Sequence, residues 1–342
     1  MGTWLILDSR KVASYYPSTG YRSSDHPNVH KVYWRCVACF FATAFRMLGS
    51  KYRLVFYTTV DAVPDAISAI LDACGVVVQH VEMEHLPPQG YFGAWRNQFY
   101  ILDIIRHIAR FDPSDALILD SDCVFVGDVE PLFDALKEEG VLTYDLESPP
   151  DENINGLSRE QMKILFGELL GNSLREPPAY LGGEFFAGTA REIARIDAEI
   201  DPLWSECLLR AIDRRAKLNE EAHFLSYLYF KLGYRNGTAN PFIRRIWTQL
   251  RGREVFPDDY SLPIWHLPAE KRYGMLDLFS CAGKRDSWFW ELPVNGLWKS
   301  RVGAILGVPD ASIRKKSKDL CRAIKYKALV TIAEIERKGR RD

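Results

Sequence analysis

The 342-residue chain lacks a dominant sign of charge: 44 basic residues stand against 45 acidic ones, a formal net charge of −1. Without a chain-wide positive field, nucleic acid is not an expected partner. Long hydrophobic runs are also missing. The longest uncharged apolar run, CVACFFATAF from Cys36 to Phe45, is about half the roughly 20 residues that a membrane span needs, and Arg35 and Arg46 close it off. At the N-terminus only Trp4 to Leu7 is apolar before Asp8, Arg10 and Lys11 intervene, too short for the apolar region of a signal peptide. A cytosolic chain is expected. Seven cysteines are an odd number, and with no secretion signal reduced thiols are the expectation. Cys36 and Cys39 form a CxxC with no second cysteine or histidine pair nearby, so neither zinc nor redox work is expected of them. The opening Met-Gly is no myristoylation site, because Ile6 stands where Ser or Thr is needed. No internal repeat is evident.

What is present is an apolar fraction of 47%, enough for a full enzyme core in one large domain or two joined lobes. After a loop rich in Gly, Ser and Pro (residues 16–27), apolar residues at helical spacing predict a helix over 32–48. Strands are predicted over 52–60 and 76–81, with helices over 65–73 and about 95–109, the latter with Ile101, Ile104, Ile105 and Ile108 on one face. Strand and helix alternate at the spacing of a parallel α/β unit. Residues 1–145 therefore read as a nucleotide-binding half. Residues 146–280 are more mixed, with a predicted helix over 158–170, an apolar strand in YLGGEFFAG and a helix over 219–232. Residues 281–342 hold an aromatic cluster, WFWELPVNGLW, and a basic terminal helix with Leu320, Ile324, Ala328 and Ile332 on one stripe. Two readings of that helix stand: a solvated terminal helix, or peripheral contact with the inner face of a membrane.

The chemistry concentrates in ALILDSDCVF (residues 116–125), where a buried-type strand ends in two carboxylates two residues apart. In open α/β sheets ligands bind outside the carboxyl ends of strands. If the backbone stays extended, Asp120 and Asp122 share a face about 7 Å apart and repel by roughly 2 kcal/mol, a repulsion that a cation relieves. Oxygen ligation selects a hard ion, Mg²⁺ or Mn²⁺, whose other positions water and phosphate fill. The plain alternative is that DSD only begins a turn.

These residues resemble a family. LILDSDCVF is similar to the DxD segment of glycosyltransferases of the GT-A fold, in which the carboxylates hold a divalent metal against the diphosphate of a nucleotide sugar. AYLGGEFFAG (residues 179–188), followed by NEEAHFLSYLYF (residues 219–230), resembles the paired segments of retaining enzymes of the blood-group and α-1,3-galactosyltransferase type. That likeness implies Gly182 and Gly183 at the sugar pocket, and Glu221 as nucleophile or oxocarbenium stabiliser with Glu220 and His223 beside it. Glu184 reads as an extra residue in this segment, and Leu218 stands where that family has tryptophan. IWHLPAEKRYG (residues 264–274) is more similar to the glycogenin and bacterial galactosyltransferase family, which implies His266 as a further metal ligand and Lys271 or Arg272 on the diphosphate. The fold so implied is a Rossmann-like α/β fold with a mixed central sheet and a helical C-terminal extension. The activity implied is retaining transfer of a hexose of the Gal, GalNAc, Glc or GlcNAc type. Its donor would be a UDP-sugar and its acceptor a saccharide or lipid-linked saccharide, as in polysaccharide synthesis.

The residues carry other readings too. Acidic Glu220 and Glu221 follow Asn219, a good N-cap, and suit a first helical turn whatever the function. Arg96 sits in a first turn where the helix dipole disfavours a cation, so a phosphate, Asp120 or a surface carboxylate should compensate it. Tyr57 and Thr58 end an early strand where related enzymes place the nucleotide base, and Ser121 lies within the DxD itself. An aromatic such as Tyr57 is equally at home in a core, and His266, between Trp265 and Leu267, equally so as a hydrogen-bonded core residue. The tryptophans of residues 288–298 suit stacking on an acceptor sugar or burial between lobes. Two rival functions remain. A sugar-nucleotidyltransferase would need a glycine-rich loop that STGYR (residues 18–22) matches poorly, and a noncatalytic carbohydrate- or nucleotide-binding protein would show no slow donor hydrolysis.

Overall fold

The computed structural model describes residues 1–6, 27–249 and 252–338, with side chains placed as far as residue 325; residues 18–22 and the side chains of Ala328 and Ile332 lie outside it. Nine strands are described: β1 (Gly2–Leu5), β2 (Val55–Thr58), β3 (Val77–His80), β4 (Ala116–Leu119), β5 (Cys123–Phe125), β6 (Val141–Leu142), β7 (Phe185–Gly188), β8 (Ile243–Arg245) and β9 (Ile264–His266). Six of them form a mixed sheet in the order β3-β2-β1-β4-β7-β6. β1 to β4 run parallel, and β7 runs antiparallel to both of its neighbours. A small second sheet, β5-β9-β8, continues from the first through the short turn between β4 and β5. The chain is thus α/β with a mixed central sheet and a helical C-terminal part, as the resemblance implied.

Period-two alternation explains how the sheet is covered. Leu117 and Leu119 of β4 face one apolar cluster, with the helix Pro27–Leu48 and the helix Gly274–Ala282, while Ala116 and Ile118 face another, with the helices Tyr100–Phe111 and Ala190–Ile212. A strand buried on both faces has no polar side to show, which is why it reads as a continuous apolar run. The helix predicted over 65–73 is observed at Asp65–Ala73, and the one predicted over 158–170 at Arg159–Leu170, its start set by a Ser158–Gln161 capping box. The helix predicted over 95–109 resolves into a 3-10 turn, Arg96–Phe99, and the α-helix Tyr100–Phe111, with Ile101, Ile104, Ile105 and Ile108 all buried.

The aromatic cluster near residue 290 packs against the core. Phe289 and Trp298 are fully buried, the Trp298 indole donates to the Phe289 carbonyl at 3.0 Å, and Trp290 meets Phe45 edge-on. Phe289 and Trp298 are buried in the core, and Trp288 and Trp290 pack half-buried against it. All seven cysteines are free, Cys36 and Cys39 among the buried ones. No described helix is long and apolar enough to cross a membrane.

Candidate active site

The site forms where the two sheets meet. β4 ends at Leu119, and the chain turns at once: the Asp120 carbonyl accepts from the Cys123 amide at 3.1 Å, and β5 begins. Asp120 and Asp122 are therefore brought together by a turn and not by an extended strand, which corrects the strand-face geometry expected above. The turn reading of DSD holds, and the same turn carries both carboxylates to one place. β5 pairs antiparallel with β9 so that Cys123 stands opposite His266, and the Leu267 amide donates to the Asp122 carbonyl at 3.1 Å. This register carries the imidazole to the carboxylates from almost 150 residues away in sequence. One ligand atom from each of Asp120, Asp122 and His266 lies within 4.8 Å of the others.

The charges are arranged around Asp122. Its Oδ2 lies 3.2 Å from His266 Nε2 and 3.1 Å from Lys271 Nζ, yet makes no well-formed hydrogen bond. Burial opposes its charge, but Lys271 and His266 outweigh it and hold the carboxyl well below the usual range. Burial and the neighbouring Asp122 charge push Asp120 up to about 6. His266 is raised to about 9, because Asp122 and Glu184 overcome the burial that would lower it. An orphaned carboxylate oxygen and a second carboxylate in one turn, with the imidazole that β9 brings beside them, form a donor set that fits a divalent ion of the Mg²⁺ or Mn²⁺ class.

These groups open on a cavity of about 380 Å³ whose lining also includes Ser121, Gly183, Glu184, Glu220, Glu221, Arg245 and Lys271. A different chemistry prevails among the Glu220 neighbours. Glu220 is the N-cap residue of the helix Glu221–Leu232, the place expected for Asn219, whose side chain instead donates to the Asn155 carbonyl at 3.1 Å. The Glu220 carboxyl accepts from the Tyr180 hydroxyl at 2.6 Å and from Asn155 Nδ2 at 2.5 Å. Burial pushes it up to about 7 in spite of those bonds. Burial, then the Glu220 and Asp120 charges, raises Glu221 well above the carboxylate range, and its buried Oε2 has no hydrogen-bond partner. His223, packed against the Tyr180 ring, is lowered to about 3 by burial.

Other expected residues sit elsewhere. Tyr57 and Thr58 do not line the cavity: Tyr57 meets His107 edge-on, and the Thr58 hydroxyl donates to the Leu5 carbonyl at 2.7 Å. Trp4 and Leu5 of β1 line it instead. Arg96 Nε donates to the Pro87 carbonyl at 2.9 Å, and its neighbours Trp95, Asn97 and Gln98 reach the cavity in its place. Of the two basic residues after His266, Lys271 faces the cavity and Arg272 lies beside Tyr273. Gly182 and Gly183 are closely approached, but by protein: a Cβ at Gly182 would strike the Glu184 carboxylate and Tyr144, and one at Gly183 would strike Glu221. Sequence reasoning missed Arg245, Tyr180, Asn155 and the role of Glu184. The one available signal was an acidic residue inside the apolar GGEFFAG run.

No family model matches the chain, and no curated protein is matched by it. Among solved structures it is similar to the galactosyltransferase LgtC in complex with donor and acceptor sugar analogues (15% identity over 93% of this chain and 100% of that one, TM-score 0.47). It is also similar to an active-site mutant of LgtC (13% identity, 78% and 86% covered, TM-score 0.44). A third such structure is WbbM, a bifunctional glycosyltransferase in its apo form (11% identity, 77% of this chain and 49% of that one, TM-score 0.47).

Proposed function

We propose that the protein is a metal-dependent glycosyltransferase that moves a hexose from a UDP-sugar to a saccharide or glycolipid acceptor with retention of configuration. One observation carries the reading: a two-carboxylate, one-imidazole ligand set with a lysine beside it opens on the same cavity as Glu221, a buried carboxyl with an unpartnered oxygen. Asp120, Asp122 and His266 would hold Mn²⁺ or Mg²⁺. Bound there, the ion supplies Lewis-acid stabilisation to the leaving nucleotide, an effect worth several kcal/mol. Lys271 adds a fixed positive charge for the diphosphate. Glu221 stabilises the positive charge that develops at the anomeric carbon, and a cation there draws its carboxyl towards the ionised form. Tyr180 and Asn155 hold Glu220 by hydrogen bonds, and Gly183 leaves room for the Glu221 side chain.

The test is calorimetry of UDP with Mn²⁺, repeated with a chelator and with Asp122→Ala. Binding that disappears in both controls supports the site, and a screen of UDP-sugars follows. Binding that persists in both sinks the metal assignment. Slow hydrolysis of a bound UDP-sugar separates an enzyme from a noncatalytic binding protein.

A further inference from the structure

Glu184 has no role in the proposed transfer, yet it touches two of the three residues of the ligand cluster, Asp120 and His266. Its carbonyl accepts from the Asp120 amide at 3.0 Å, so it steadies the backbone of one proposed ligand. Its carboxylate, almost wholly buried, lies 3.3 Å from His266 Nδ1, the ring nitrogen that faces away from Asp122. Arg245 grips that carboxylate from Nε and Nη2, each at 2.7 Å, and the Arg245 amide is itself tied to the Tyr144 hydroxyl at 2.9 Å. Gly182 makes the seat possible, because any Cβ there would collide with the carboxylate. His266 Nδ1 is buried and has no well-formed hydrogen bond of its own.

We infer that Glu184 is a positioning residue for His266: clamped by Arg245 and admitted by Gly182, it accepts a hydrogen bond from Nδ1–H and so directs Nε2 at Asp120 and Asp122. An imidazole that ligates through Nε2 must be neutral there, and its one remaining proton is then on Nδ1, facing Glu184. A carboxylate behind a ligating histidine fixes the tautomer and the ring plane, and loss of such a partner typically weakens metal binding by about 10- to 100-fold. The inference rests on the metal reading of the cluster.

The experiment is calorimetry of the full chain with Mn²⁺ alone, without nucleotide. Glu184→Gln keeps the shape but no longer offers a charged acceptor, and it should weaken Mn²⁺ binding by about 10- to 100-fold while circular dichroism shows a folded chain. Asp103→Asn serves as the control, since it disturbs another buried carboxylate–histidine contact, Asp103 with His85, that does not line the cavity. It should leave Mn²⁺ binding unchanged. Should Glu184→Gln fail to fold, Gly182→Ala displaces the carboxylate without removing it and should weaken binding in the same direction. Equal Mn²⁺ affinity in the unaltered chain and in the folded variant overturns the positioning role alone. No Mn²⁺ binding by the unaltered chain overturns the metal reading, and this role with it.

Discussion

Two groups of buried carboxyls share one cavity and are treated in opposite ways. Around β4, β5 and β9, Asp122 and Glu184 are surrounded by Lys271, His266 and Arg245 and both are held ionised, while Asp120 beside them is raised to about 6. At the start of the helix Glu221–Leu232, Glu220 and Glu221 have hydrogen bonds or nothing, and burial drives both towards the neutral form. A carboxyl loses far more from desolvation when charged than when neutral, so the available partner decides which state survives burial. The first group is suited to a resident cation. On the proposed reading, the second keeps its charge in reserve for a cation that arises during reaction.

The contrast can be broken most directly by removing one carboxylate from each group. Asp122→Ala should abolish Mn²⁺-dependent UDP binding, whereas Glu221→Gln should keep that binding and lose kcat by about 10²- to 10³-fold, the scale of one lost electrostatic contact to a transition state. If Glu221→Gln turns over normally, the division of labour is wrong. Stability gives a second, smaller contrast. Arg245→Met strands the buried Glu184 charge and should cost about 3 kcal/mol in denaturant unfolding, the low end for a broken buried pair because Arg245 is itself about one-third exposed. Glu220→Gln, which replaces a carboxyl already near neutral, should cost within about 1 kcal/mol at pH 6.

The smallest effect is a pH slope. Glu220 rises from 4.5 to about 7 on folding, so its contribution is full below pH 4.5 and is lost as pH rises through 7. His223 falls from 6.5 to about 3, so its contribution is full above pH 6.5 and is lost as pH falls towards 3. Each slope approaches about 1.4 kcal/mol per pH unit, and the two cancel where they overlap, at pH 4.5 to 6.5. Relative to the unaltered chain, Glu220→Gln should shift the slope of stability against pH upwards across that window, and His223→Gln should shift it downwards. Parallel titration curves for both variants would show that burial does not govern this pair.

Much of this was legible because it is local. The helix Asp65–Ala73 and the strand β4 follow from periodicity and from an apolar run over consecutive residues, and Asp120 and Asp122 are legible because both sit at one strand end. β1 went unread since four residues are too few to show alternation, and its Trp4 and Leu5 therefore replaced Tyr57 and Thr58 as cavity lining only once the structure was seen. His266 reached the site through resemblance alone, since a single histidine between Trp265 and Leu267 announces nothing. Lys271 and Arg272 are adjacent in sequence, and which of them faces the cavity depends on how the chain leaves the 3-10 turn Pro268–Glu270.

By itself, then, the sequence determined the α/β alternation, the buried parallel strand and the acidic pair at its end, because each depends on residues within a few positions of one another. Tertiary structure decided the rest. The β5–β9 register brought His266 to Asp122, the absent Cβ of Gly182 admitted Glu184, and Arg245 arrived from β8 to hold it. The charge state of a buried carboxyl depends on partners distant in sequence, and only the packed chain sets them about 3 Å away.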